Sequence, residues 1–170
     1  MKGHNFGLLF FLMVIGQVIV CNFTNLGPDV MLSLLPAMIL CIPLSISTSL
    51  CLVIAFATGL AVDWMAEGLI GINAAALLPV ALLRKPFIRL FLGEDLITRK
   101  DGFSIKKNGI VKISMMLALS VLLFLGIYIY LDGAGTRTFS FNIIRLGVSF
   151  VCNYFIAVLV TNILTEDDRR

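Results

Sequence analysis

One acidic residue draws attention first, because it falls between two strongly apolar stretches. Asp63 follows Ala55 and Gly59 at intervals of four residues, so the three share one face of a helix. A carboxylate at the edge of a lipid bilayer is costly unless it is paired, hydrated or functional. Two interpretations of Asp63 follow. It is an organising site that accepts hydrogen bonds from the start of the next helix or holds a partner's basic residue, or it is an interfacial acid wetted by solvent.

Small residues lie on both sides of the turn that follows this acid. Ala55 and Gly59 precede it, and Gly71 and Ala75 form a second small stripe on the next segment. Small residues let two helix backbones approach closely in lipid, where apolar burial alone does not drive association. We therefore expect a tightly packed helical hairpin whose second helix begins near Gly68.

Two further polar residues fall in that second helix. Asn73 is two residues from Gly71 and points away from the small stripe, so we expect it to bond to Gln17 or Asn153. Contact with a ligand is the alternative for Asn73. Arg84 ends the apolar run, and we expect its side chain to reach the lipid headgroups. Docking of a cytoplasmic partner is the alternative for Arg84.

The inventory of reactive residues argues against catalysis. The single histidine, His4, lies near the N-terminus, and the sequence contains no Ser–His pair, paired intramembrane acids or phosphate-cradling glycine loop. The four cysteines form no C-x-x-C pair and have no zinc-like spacing, which favours a packing role. The basic residues lack the aromatic interleaving of a nucleic-acid surface. We expect no enzyme activity, cofactor, metal or nucleic-acid partner.

The elements that hold these residues are membrane helices. Hydrophobic residues make up 59% of the 170 residues and charged residues 14%, and the mean hydropathy is +1.03. Soluble domains are about 45–50% apolar and roughly 25% charged. No linker or repeat divides the chain. We therefore expect one all-α polytopic membrane domain over residues 1–170.

Apolar runs and turn signals predict six transmembrane helices. As one helix, residues 30–62 would be ~50 Å long against a hydrocarbon core of ~30 Å, so they must fold back. The expected turn is Ser45–Ser49, and Pro36 is expected to kink the helix before it. The first apolar run lacks an A-x-A cleavage site, so we expect it to be retained as a helix. The predicted helices cover residues 6–21, 29–44, 48–64, 68–83, 109–131 and 142–164.

The longest polar segment, residues 84–108, is predicted to be a cytoplasmic basic loop that begins with a short interfacial helix. Six crossings place 11 of the 13 basic residues on one side, with only Arg137 and Arg145 opposite. The positive-inside rule then puts both termini in the cytoplasm. A five-helix chain with no turn at 45–49 fits this charge distribution less well. The basic loop should attract anionic lipid.

The hairpin region also resembles a known family. The resemblance is carried by Gly59-Leu-Ala-Val-Asp63, Gly68-Leu-Ile-Gly71, Ala74-Ala-Ala76 and Leu82-Leu-Arg84, with Gln17 and Asn22 earlier in the chain. These motifs are similar to those of the MreD family of bacterial rod shape-determining membrane proteins, especially its Bacteroidetes branch. The close match covers about 30 residues.

The resemblance implies a non-enzymatic scaffold in the inner membrane, within the elongasome that builds the lateral peptidoglycan wall and maintains cell shape. Family members dock MreC, which activates the wall-elongation transpeptidase and its glycosyltransferase partner, and connect to the actin-like filament MreB. The family fold is similar to that of the substrate-binding subunits of energy-coupling-factor transporters. A small-molecule, vitamin-like binding subunit of a transporter is therefore the main alternative, followed by an enzyme acting on lipid-linked precursors.

Overall fold

Six α-helices make up the part of the chain that the computed structural model describes, residues 3–23, 30–67, 70–93, 109–133 and 137–166. A five-residue π-helical turn, Asp63–Glu67, extends the third helix. The helices are α1 (Gly3–Phe23), α2 (Leu35–Cys41), α3 (Thr48–Val62), α4 (Ile72–Leu92), α5 (Ile110–Asp132) and α6 (Phe139–Glu166).

Within the described residues, four helical stretches are long and apolar enough to cross a membrane. They are Phe6–Phe23, Thr48–Ala66, Ile110–Asp132 and Phe139–Leu164. The prediction of an all-α membrane protein is confirmed at this level, and the chain is a helical, multi-pass membrane protein. The second and fourth predicted helices depart from the predicted form.

The second predicted helix, residues 29–44, is much shorter in the structure. Residues 30–33 are not helical, and α2 covers only the seven residues Leu35–Cys41. The prediction that Pro36 kinks a longer helix is wrong, because Pro36 lies in the first turn of α2, where the missing N–H costs no hydrogen bond. The helix ends two residues before Pro43, whose ring disfavours helical backbone in the residue before it.

The fourth predicted helix is longer than expected. It starts at Ile72 instead of Gly68, which lies outside the described residues, and it runs to Leu92 through Pro79 and Pro86. The predicted interfacial helix is therefore the last part of α4 and not a separate element. Burial explains the continuity, because Ile88 lies beyond both prolines and is completely inaccessible to solvent. The remainder of the predicted basic loop, residues 94–108, lies outside the described residues.

Helix α2 is the centre of the fold. All seven of its residues are buried, and α4, α5 and α6 provide most of the surrounding surface. The other five helices form a ring in which α3, α4, α5 and α6 each pack on the next, and α1 contacts both α3 and α6. Helix α1 is the most peripheral of them and leaves Phe11 and Ile19 exposed. The ring surrounds a short helix whose polar backbone ends must find partners inside the protein.

Candidate functional site

The carboxylate of Asp63 lies inside the protein at the junction of α3 and α4, with 0% of its surface exposed. Its Oδ2 accepts hydrogen bonds from the backbone amides of Gly71 (2.8 Å) and Ala74 (3.4 Å). Its Oδ1 accepts from the backbone amide of Asn73 (3.1 Å) and from the side-chain Nδ2 of the same residue (2.9 Å). One acid therefore takes up four N–H groups.

These hydrogen bonds cap α4. The first N–H groups of a helix have no partner within the helix, and a negative charge at this end is also favoured by the helix dipole. Gly71 occupies the N-cap position with φ of 106°, a left-handed conformation that favours glycine. Of the two interpretations of Asp63, acceptance of hydrogen bonds from the next helix is observed. The solvent-wetted acid is wrong, because Asp63 has no exposed surface, whereas its neighbour Trp64 faces outward with 78% of its surface exposed.

The two helices of the hairpin are in close contact one turn before Asp63. A Cβ atom added to Gly59 would lie 2.4 Å from Cα and 2.6 Å from N of Ala74. Ala55, one turn earlier on the same face, is fully buried. The predicted small seam of α3 is therefore packed against α4. Its partner is Ala74, whereas Gly71 has open space around it and Ala75 is only half-buried.

Asn73 faces Asp63 and bonds to neither of the residues predicted for it. Gln17 and Asn153 instead hold the extended backbone that precedes α2. Gln17 accepts from the Leu34 amide (2.7 Å) and donates to the Leu32 carbonyl (3.1 Å). Asn153 accepts from the Ser33 amide (2.5 Å) and donates to the Met31 carbonyl (2.5 Å).

The two amide side chains act as substitutes for neighbouring β-strands. Each one joins the carbonyl of one residue to the amide two positions later, which is the pairing that an adjacent strand would make. In an extended chain, successive residues direct their backbone N–H and C=O groups to opposite edges. Helix α1 therefore bonds to one edge through Gln17, and α6 bonds to the other edge through Asn153. Ser149, one turn before Asn153, adds a bond from the Met31 amide at 3.0 Å. The sequence indicated only that such polar residues would be buried.

Arg84 lies at the opposite end of α2 and is also buried. Its side chain does not reach the headgroup region as predicted, because only 2% of its surface is exposed. Nε donates to the carbonyl of Leu40, at the C-terminal end of α2, at 3.1 Å. A cation at a helix C-terminus is favoured by the helix dipole. One guanidinium nitrogen, NH2, is buried and has no hydrogen-bond partner within the part of the chain that the structure describes.

An ion pair between α5 and α6 was missed by the sequence analysis. Arg145 hydrogen-bonds to Asp132, and Arg137 lies 3.8 Å from the same carboxylate. Arg137 also stacks over Phe141. The spacing of 13 residues between Asp132 and Arg145 crosses a turn, so no helical periodicity reveals the pair. Arg145, predicted only as one of two basic residues on its side, is thereby neutralised inside the protein.

The arrangement holds backbones in place and provides little reactive chemistry. No group of three or more metal-ligating side chains occurs among the described residues. The most buried polar side chains, including Asp63, Gln17 and Asn153, bond to the chain's own backbone. Comparisons with protein families, with characterised proteins and with solved structures found no match to this chain.

Proposed function

We propose that the chain is a non-enzymatic membrane scaffold of the cell-elongation complex, equivalent in role to MreD, that docks MreC and helps to maintain cell shape. The observation that carries the proposal is the α3–α4 hairpin, in which Asp63 caps one helix and Gly59 brings the two backbones together. A scaffold needs a surface that changes little on binding. Through MreC it would act on the wall-elongation transpeptidase and glycosyltransferase and, indirectly, on MreB.

We further propose six crossings of the inner membrane, with both termini in the cytoplasm. The second crossing is the extended segment 30–33 followed by Leu34, whose backbone is helical, and α2. Four extended residues and eight with helical backbone cover about 25 Å, close to the ~30 Å of a hydrocarbon core. Non-helical backbone is tolerated at membrane depth where protein surrounds it, and Leu35 and Met38 of this segment have no exposed surface. A reporter fused after Arg170 that functions only in the periplasm should be inactive.

The transporter-subunit alternative is less well supported by the interior. A ligand pocket needs several converging polar groups that are available to the ligand. Gln17 and Asn153 use both ends of their amides on the backbone of residues 31–34. Asn73 directs its amide nitrogen at Asp63. A vitamin that co-purifies tightly with the protein would favour this alternative over the scaffold.

The direct test is co-purification of tagged MreC from cells that carry hairpin variants. We expect Gly59→Ala to lower MreC recovery several-fold and to round rod-shaped cells, because the added methyl group forces α3 and α4 apart. The matched control is Gly126→Ala in α5, where a Cβ atom has open space. This variant should retain both MreC recovery and shape.

Depletion of the protein provides the second readout. Conversion of rods to spheres, with loss of MreC from the complex, is the result that we expect. Unchanged shape and undiminished MreC recovery in depleted cells would reject the scaffold proposal. In a naturally round host, co-purification of MreC alone tests the scaffold proposal.

A further inference from the structure

Helix α1 is attached to the rest of the protein by fewer buried side chains than the other membrane-crossing helices. Only 6% of its crossing stretch is buried in the protein, compared with 28% to 39% for the stretches of α3, α5 and α6. We propose that α1 is a movable strap, which the side chain of Gln17 holds closed over the backbone of residues 32–34. The proposal is independent of the scaffold role, because that role rests on the α3–α4 hairpin.

The inner face of α1 has a single buried residue between positions 6 and 23, and this residue is Gln17. The apolar side chains beside it, among them Val14 and Val18, are only partly buried. On the outer face, Leu12 has 55% of its surface exposed. Apolar contact gives little drive to helix association in lipid, because the acyl chains are equally apolar. Packing therefore contributes little to holding α1 in place.

The glycines of α1 also lack the close contacts that join membrane helices. A Cβ atom added to Gly7 or Gly16 would have no atom of another helix within 4 Å. At Gly59 of α3, by contrast, the backbone of Ala74 lies 2.4 Å from such an atom. Small residues promote association where they allow two backbones to approach. At its glycines α1 therefore lacks the kind of contact that fixes α3 on α4.

Hydrogen bonds from Gln17 therefore provide much of the attachment. Its Oε1 accepts from the Leu34 amide at 2.7 Å, and its Nε2 donates to the Leu32 carbonyl at 3.1 Å. A longer bond of 3.4 Å joins Nδ2 of Asn22 to the Met65 carbonyl. Hydrogen bonds between membrane helices are individually weak, so a few of them hold a helix reversibly. Detachment leaves a backbone donor and an acceptor unpaired, and this cost keeps α1 closed most of the time.

The segment beneath the strap keeps its place when α1 moves, because α6 holds its other edge. Asn153 accepts from the Ser33 amide and donates to the Met31 carbonyl, each at 2.5 Å. Ser149 accepts from the Met31 amide at 3.0 Å. Helix α6 itself packs on α2 and α5. The motion is therefore confined to α1, which distinguishes a strap from a general loosening of the bundle.

The experiment measures the distance between α1 and α6 in the full-length protein by double electron–electron resonance in lipid nanodiscs. Nitroxides are attached to p-acetylphenylalanine at the exposed positions Leu12 and Val151, so that the native cysteines are kept. We expect a main short distance and a minor longer one when Gln17 is present. Gln17→Leu should raise the ratio of long to short distances about ten-fold, as expected for the loss of two hydrogen bonds between membrane helices.

The matched control is Gly16→Ala, which changes the residue next to Gln17 at a position where the added methyl group has open space. Its ratio of long to short distances should stay within about two-fold of the value with Gly16. A second nitroxide pair, at the exposed positions Val53 of α3 and Val151 of α6, should keep a single distance in every variant.

A single short distance in Gln17→Leu, or an equal response to Gly16→Ala, would overturn the proposal. A longer population in the α3–α6 pair would also overturn it, since the motion would then extend beyond α1. If Gln17→Leu does not fold, Gln17→Asn is compared with Gly16→Ala instead, because the shorter amide cannot reach both Leu32 and Leu34.

Discussion

The two ends of the α3–α4 contact each bury one charged group, and the two groups are satisfied to very different degrees. Asp63 accepts four hydrogen bonds from the start of α4. Among the described residues, Arg84 donates from Nε to the end of α2, and its NH2 nitrogen has no hydrogen-bond partner. The acid is therefore a completed structural joint, whereas the base is only partly satisfied by the residues that the structure describes.

Replacement of the acid should cause the largest loss of stability. Asp63→Leu removes the acceptor of four buried donors, and we expect a loss of about 4 kcal/mol in the free energy of unfolding. Asp63→Asn keeps one oxygen acceptor and should lose about half as much. Unfolding by sodium dodecyl sulfate in mixed micelles, followed by circular dichroism, measures both. A loss below about 1 kcal/mol for Asp63→Leu would contradict the role of Asp63 as a structural joint between α3 and α4.

Separation of the helices at Gly59 should have the second largest effect. Gly59→Ala places a methyl group against the backbone of Ala74, so we expect a loss of about 2–3 kcal/mol. The same unfolding titration on Gly126→Ala, which has open space, should stay within about 1 kcal/mol of the unmodified protein. If the two alanine variants are equally stable, the joint does not depend on close approach.

The neutral side chain of Asn153 tests whether a buried polar group must be charged to stabilise the fold as Asp63 does. Asn153→Leu leaves the carbonyl of Met31 and the amide of Ser33 without their partner, and we expect a loss of about 2 kcal/mol. The matched variant is Ser140→Leu on an exposed position of the same helix. It should change stability by less than about 0.5 kcal/mol. Equal losses for the two variants would mean that the extended segment does not need its amide partner.

Replacement of the base should have the smallest effect. Arg84→Met removes one hydrogen bond but also removes a buried cation that is incompletely paired, and such replacements are often neutral. In lipid-free detergent we expect a loss of about 1 kcal/mol or less. A loss as large as that of Asp63→Leu would show that Arg84 is a completed joint too, and it would remove the contrast between the two ends.

The sequence predicted the acid well because its partners are local. Asp63 lies eight to eleven residues from the amides that it accepts, across a single turn. Spacing by four residues therefore predicted its helix face, and hydrogen bonds from the next helix were among the interpretations that the sequence allowed. The residue of α4 that packs against Gly59 was predicted less well. The contact falls on Ala74 and not on Gly71 or Ala75, because it depends on the rotation of α4 about its axis.

The remaining contacts depend on distant parts of the chain. Arg84 finds its acceptor 44 residues away, and Asn153 finds Met31 at a separation of 122 residues. Hydropathy treated residues 29–44 as an ordinary apolar helix, because it does not register that side-chain amides can replace the hydrogen bonds of a helix. The length of α4 was also missed, since burial of Ile88 overrides the two prolines.

The extended segment before α2 has a consequence for biogenesis. Its Met31 and Ser33 backbone groups find their partners on α6, a helix that emerges from the ribosome more than one hundred residues later. Until then, helical backbone is the only form in which this stretch satisfies its own hydrogen bonds in lipid. With the six crossings proposed above, we therefore expect this stretch to enter the bilayer as a helix and to become extended only when α6 arrives, so that completion of synthesis commits the interior.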